Sequence, residues 1–168
     1  MLIILIKRAM AKEIYFGIPI ISGGNIIIGG SGKTPVTIKL ASKYEDVCVV
    51  LRGYGRNSKG LFVVSLNGKI LVDVKTSGDE AMLLANSLEK ATIIVSEDRI
   101  KAILKAKELG CKIIFLDDGF SKYQIAKFNI LLRPKDEPTN IFCLPSGGYR
   151  EPKGFYAQAD IELLEGSD

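Results

Sequence analysis

With 168 residues, 47% of them hydrophobic and 25% charged, the chain has the composition of one well-buried globular domain. Its net charge of +4 comes without a dense Lys/Arg run or a basic patch interleaved with aromatics, so nucleic acid is not an expected partner, whereas anionic ligands and membrane surfaces stay open. Histidine is absent, which removes every Ser/His, Cys/His and histidine-metal scheme.

The N-terminus, Met1 to Ile6 followed by Lys7, Arg8 and Lys12, is too short in apolar residues to span a bilayer. Its basic residues follow the apolar core instead of preceding it, unlike a secretory signal. As a helix it places Ile3, Ile6, Met10 and Ile14 on one face and Lys7, Arg8 and Lys12 toward the other. Two readings stand: a helix resting on a membrane surface, or one packed on its own domain. The chain therefore divides into an amphipathic helix over 1–17 and a domain over 18–168.

The run Gly29-Gly30-Ser31-Gly32-Lys33-Thr34 follows the apolar Ile26-Ile27-Ile28 and precedes a helical pattern. Small residues let backbone N–H groups close around a phosphate, Lys33 adds charge, and Thr34 adds a hydroxyl for magnesium. The first glycine of the usual phosphate-loop pattern is replaced by Ile27, yet the GGSGKT core reads as a phosphate-binding loop. A dinucleotide fingerprint would need a third glycine where Pro35 stands, and Pro35 suits the first turn of a helix.

Beyond the loop, short Ile/Val-rich runs alternate with helical stretches, the pattern of a parallel α/β sheet. Strands are expected over 18–22, 47–51, 61–66, 69–74, 92–96, 112–116, 129–132 and 160–164, and helices over 33–44, 79–88 and 99–109. Asn67-Gly68 between two alternating runs predicts a hairpin. The expected fold is α/β, a three-layer domain of the P-loop NTPase type with a mainly parallel sheet and a β-hairpin excursion. Cys48, Cys111 and Cys143 are few and far apart and read as buried, reduced thiols of a cytosolic protein.

Ligands of open α/β sheets collect at the carboxyl ends of the strands, so the polar residues there are the candidates for chemistry. Asp117 and Asp118 follow Ile113–Leu116, where a P-loop enzyme places the carboxylate that helps hold Mg²⁺; the alternative is a capping role. Asp98 either caps the following helix or orients and deprotonates an acceptor hydroxyl. Asp79 and Glu80 sit in the first turn of a helix, where the helix dipole alone favours acidic residues. Arg52 and Arg56, among glycines, either approach a second anionic group or lie in a solvated turn. Arg150-Glu151 reads locally as a surface ion pair.

In order, GNIIIGGSGKTP (24–35), LRGYGR (51–56), SGDE (77–80), EDR (97–99), LDDGF (116–120) and LPSGGYREP (144–152) resemble the tetraacyldisaccharide 4′-kinase family of lipid A biosynthesis. The resemblance implies transfer of the ATP γ-phosphoryl group to the 4′-hydroxyl of a tetraacylated glucosamine disaccharide 1-phosphate. It also implies a peripheral location at the cytoplasmic face of a Gram-negative inner membrane. Carried over, Lys33 and Thr34 are the phosphate-loop lysine and the magnesium hydroxyl, and Asp98 is similar to the family's catalytic base. Asp117 and Asp118 resemble its metal-binding pair, and Glu151 is a further metal-side candidate. Arg52, Arg56, Asp79 and Arg99 are expected on the substrate side. The family continues DDGF with Gln-His where this chain has Ser121-Lys122. Family members are also longer, with a second domain that covers the nucleotide and supplies a histidine, so the chain resembles the first domain of the kinase. The competing readings are a nucleotide-binding domain without catalysis and a GTPase switch, the latter opposed by the absence of any Asn-Lys pair.

Overall fold

The structure, a computed structural model, describes residues 6, 8–29 and 32–165. Its centre is an eight-stranded sheet in the order β4-β3-β5-β2-β6-β1-β7-β8. The strands are β1 (Ile20–Gly24), β2 (Val47–Leu51), β3 (Phe62–Leu66), β4 (Lys69–Ile70), β5 (Thr92–Val95), β6 (Ile113–Asp117), β7 (Phe128–Arg133) and β8 (Ile161–Leu164). The helices are α1 (Lys33–Ala41), α2 (Val74–Ser77), α3 (Asp79–Ser87) and α4 (Arg99–Glu108), with a 3-10 helix over Lys153–Gln158. All pairings are parallel except β3 with β5 and β3 with β4.

Strand β2 is fully buried because the sheet is covered on both faces. Its alternate side chains divide two cores: Cys48 and Val50 pack with Ala102, Ile103 and Ala106 of α4, whereas Val47, Val49 and Leu51 pack with Ala41 of α1 and Ala81, Leu84 and Ala85 of α3. A third cluster around Tyr149 joins Ile26, Ile27, Phe120, Leu131 and Phe155. The three-layer α/β fold with a mainly parallel sheet expected from the sequence is the one observed.

Element boundaries differ where tertiary pairing outweighs local signal. Strand β1 runs on through Gly23 and Gly24, weak strand formers, because β6 and β7 pair with it on both sides. The stretch expected as a strand over 69–74 stops at Ile70, since Asp73 caps α2 by accepting from the Thr76 N–H at 2.9 Å. The hairpin turn holds Asn67 at φ 47 and Gly68 at φ 82, and a Cβ on Gly68 would lie 1.6 Å from the Glu89 carbonyl oxygen. At the N-terminus Ile6, Arg8 and Ala9 are helical, and Ile14 is instead bridged to Ile125, so the helix does not reach Ile14. Ile3 and Lys7 of the predicted amphipathic face lie outside the described residues. No helix of the described residues is long and apolar enough to cross a membrane.

Candidate active site

Strand β1 hands the chain at Gly24 to the loop before α1, and the carboxyl ends of β2 and β6 open onto the same cavity. Gly32 sits at φ 67, a left-handed conformation that glycine adopts without steric cost. It has no side chain with which to cap α1, so the first amides of that helix are left for an anion. Gly29, at φ 110, lines the cavity with Ile28 and Lys33. Gly30 and Ser31 lie outside the described residues. Lys33 Nζ stands 3.5 Å from Asn25 Oδ1, and the Thr34 hydroxyl donates to Glu80 Oε1 at 3.0 Å.

Three carboxylates, Glu80, Asp117 and Asp118, face this cavity of about 260 Å³. Burial pushes the Asp117 carboxyl up to about 7, and Glu80 and Asp118 add to the rise against the opposing charges of Lys33 and Arg99. Such a set of hard oxygen donors suits a divalent cation. Among the described residues no three Asp, Glu, Cys or His side chains are arranged to hold a metal on their own. Magnesium is usually bound by one or two carboxylates together with substrate phosphates and water.

Arg150 closes the site from the far side of the chain. Its Nη1 donates to Asp118 Oδ2 at 2.7 Å and its Nη2 to Asp118 Oδ1 at 3.3 Å, a forked pairing that engages both oxygens. Nη2 also reaches Asn25 Oδ1, and Nε donates to the Ile27 carbonyl at 2.9 Å. Asp118 itself adopts φ 51 and donates its N–H to the Gly23 carbonyl. Both Asp118 oxygens are thereby engaged, and Asp117 lines the same cavity.

The family model described as tetraacyldisaccharide-1-P 4′-kinase matches residues 2–168. The chain belongs to that family. It is 76% identical over 168 residues to the tetraacyldisaccharide 4′-kinase of Aliarcobacter butzleri, covering all of this chain and 54% of that protein. The enzyme of the same name from Helicobacter acinonychis is 56% identical over 162 residues, 96% of this chain and 52% of its own length. A crystal structure of LpxK from Aquifex aeolicus in complex with ATP superposes with a TM-score of 0.88 at 37% identity, covering 96% of this chain and 52% of the other. The chain thus spans about half the length of the curated relatives it matches.

Other residues picked out by 4′-kinase resemblance have varied placements. Asp98 is exposed and its Oδ1 accepts from the N–H groups of Ile100 and Lys101 at 3.0 and 3.1 Å, capping α4. It lines a separate, larger groove with Arg99, Lys122 and Tyr123. Arg99 is buried, and its guanidinium donates to the carbonyls of Ser96 at 2.6 Å and Asp117 at 3.3 Å, tying the ends of β5 and β6. Arg56 is engaged internally with Glu97, the Gly60 carbonyl and Ser58. Arg52 is exposed and lies over the Tyr54 ring. Asp79 is exposed beside Glu80. Glu151 is buried and accepts from the Tyr123 hydroxyl at 2.7 Å. Burial raises its pKa, and Tyr123, Arg8 and Arg150 oppose the rise.

Glu80, Arg150 and Tyr54 also line the cavity, whereas the sequence left Glu80 to the helix dipole and Arg150 to a surface ion pair. Asp79 and Glu80 are adjacent on α3 and about 100° apart around it, so composition does not reveal which turns toward Thr34. Arg150 lies in an irregular loop 32 residues from Asp118, where no periodicity predicts the contact.

Proposed function

We propose that this domain binds Mg²⁺–ATP and transfers the γ-phosphoryl group to the 4′-hydroxyl of a tetraacylated glucosamine disaccharide 1-phosphate, at the cytoplasmic face of the inner membrane. The observation that carries the reading is the convergence of Lys33 and Thr34 with Glu80, Asp117 and Asp118 on one cavity at the carboxyl ends of the strands. Membership of the 4′-kinase family and likeness to a relative solved with ATP support it.

In this reading Gly29–Gly32 and the start of α1 cradle the phosphates, and Lys33 places its charge against the transferred group. Thr34 and Asp117 hold magnesium, with Glu80 fixing the Thr34 rotamer and Arg150 fixing Asp118. Magnesium supplies charge neutralisation between the terminal phosphates when it is bound. Two carboxylates compete as the group that orients and deprotonates the acceptor. Asp98, favoured by resemblance, caps α4 through Oδ1 alone, which leaves Oδ2 for an acceptor hydroxyl. Asp79 opens α3 next to Glu80, and the preceding Gly78 is pressed against the Tyr54 carbonyl, where a Cβ would come within 2.9 Å. Asp98 lines the open groove beside the site with Arg99 and Lys122, and is the favoured base. Glu151, bonded to Tyr123, serves the site from behind Arg150.

The apolar side chains of Ile6, Met10 and Tyr15, which are exposed, support peripheral contact with the membrane. The activity is tested by incubating the chain with γ-labelled ATP, magnesium and the disaccharide acceptor. Label in the lipid, reduced by Asp98→Asn more than by Asp79→Asn, is the expected result. ATP binding without any transfer would support the nucleotide-binding reading instead.

A further inference from the structure

Arg8 lies outside every motif that the kinase reading uses, yet it is surrounded by them. Its guanidinium carbon is 4.7 Å from the ring centroids of both Tyr123 and Phe155 and 5.3 Å from that of Phe120. Its Nη1 is buried with no hydrogen-bond acceptor among the described residues, so the ring faces hold that side of the group, while Glu151 attracts its charge. Each ring belongs to a segment of the site. Phe120 follows Asp118 by two residues and packs against Gly24, where a Cβ would lie 3.5 Å from its own. Tyr123 donates to Glu151 at 2.7 Å, and Glu151 directly follows Arg150. Phe155 belongs to the 3-10 helix that continues from Arg150.

Building on the Mg²⁺–ATP reading above, we propose that Arg8 is a positioning residue: its three-ring cage clamps the 118–123 turn to the 150–155 segment and so sets the Arg150–Asp118 pair at the phosphate cavity. The backbone gives the clamp something to hold. Asp118 sits in the left-handed region, which aspartate tolerates better than most side-chain-bearing residues, and its N–H is tied to the Gly23 carbonyl. The Arg150 and Glu151 N–H groups both donate to the Ile26 carbonyl, so displacement of the 150–155 segment is transmitted to the strand-to-loop junction before the phosphate loop. A lysine at position 8 would keep the charge but lose the flat guanidinium that three rings can face at once.

The test compares the parent chain with Arg8→Lys, Arg8→Ala and Phe155→Leu, by amide hydrogen exchange without ligand and by calorimetric titration of ATP in magnesium. Faster exchange confined to 118–123 and 150–155 in Arg8→Ala is expected, smaller in Arg8→Lys. The Mg²⁺–ATP dissociation constant should rise about tenfold, the lower range for partners that orient metal ligands. Unchanged exchange in those segments overturns the clamp, and faster exchange with unchanged affinity overturns its positioning role. If Arg8→Ala exchanges faster throughout the sheet, Phe155→Leu decides: local loosening with weaker binding supports the proposal, and parent-like behaviour overturns it. Failure of the parent to bind ATP would instead overturn the Mg²⁺–ATP reading, while the exchange data still decide whether the clamp exists.

Discussion

The Thr34 hydroxyl, on the first turn of α1, donates to Glu80 Oε1 on the first turn of α3 at 3.0 Å. A hydroxyl that gives its proton to a carboxylate keeps its lone pairs for a cation, so this one bond orients a magnesium ligand and joins the two helices that flank the cavity. It also brings Glu80 close enough to Asp117 to raise the proton affinity of that buried carboxylate.

The stability of the ligand-free chain should fall as pH rises through about 7. Asp117 has its proton affinity raised from the ordinary 3.8 to about 7, so between those values the native state holds a proton that the unfolded chain has released. Its contribution is complete below the unfolded value and lost above the folded one. Thermal melts should show Asp117→Asn flattening this fall and Glu80→Gln reducing it. An equal fall in parent and Asp117→Asn would assign the pH dependence to another group.

Arg150→Lys should destabilise the chain by about 1–3 kcal/mol, since one ammonium cannot replace the forked pairing with Asp118 and the bonds to Asn25 and the Ile27 carbonyl. Urea melts measure the change. A midpoint within error of the parent would mean that water or a rearranged side chain replaces those bonds without loss.

Asp98 has separable roles at the cap and in catalysis. Asp98→Ala should cost about 1 kcal/mol by uncapping α4, while Asp98→Asn, an equally good cap, should keep parental stability. Because Asp98 is the favoured base, Asp98→Asn should nonetheless lose most phosphoryl transfer. Parental stability with transfer retained would pass the base role to Asp79.

Anionic vesicles should bind the chain weakly at low salt and release it as salt rises. The exposed Ile6, Met10 and Tyr15 offer little apolar area, and Arg8 is withdrawn into its aromatic cage, which leaves few cations for the surface. Co-sedimentation unchanged by deletion of residues 1–14 would place the membrane contact elsewhere.

The sheet was legible wherever burial is continuous. Val47–Leu51 reads as a strand from its unbroken apolar run and is one, and Asn67-Gly68 announces its hairpin through the positive φ values that a tight turn requires. That Lys33 and the adjacent aspartates share one cavity was legible, because each follows an apolar run that reads as a strand ending at the same edge of the sheet. The contacts of Glu80 and Arg150 were not, since they depend on helix phase and on a loop whose path is set by packing around Tyr149. Gly23 and Gly24 look like a strand end in sequence, and only pairing on both sides carries β1 through them. The aromatic cage of Arg8 draws on residues 120, 123 and 155, a spacing with no local signature.

Calorimetric titration of ATP with magnesium into the parent chain and into Lys33→Ala tests the central claim most directly. Lys33 is half-buried at the cavity and fills no core, so its removal should leave stability within about 0.5 kcal/mol of the parent. The account predicts magnesium-dependent binding to the parent, and weaker binding by at least about tenfold in the mutant through loss of the charge against the phosphates. Equal affinities in the two chains would contradict the assignment of Gly29–Thr34 as the phosphate-binding loop.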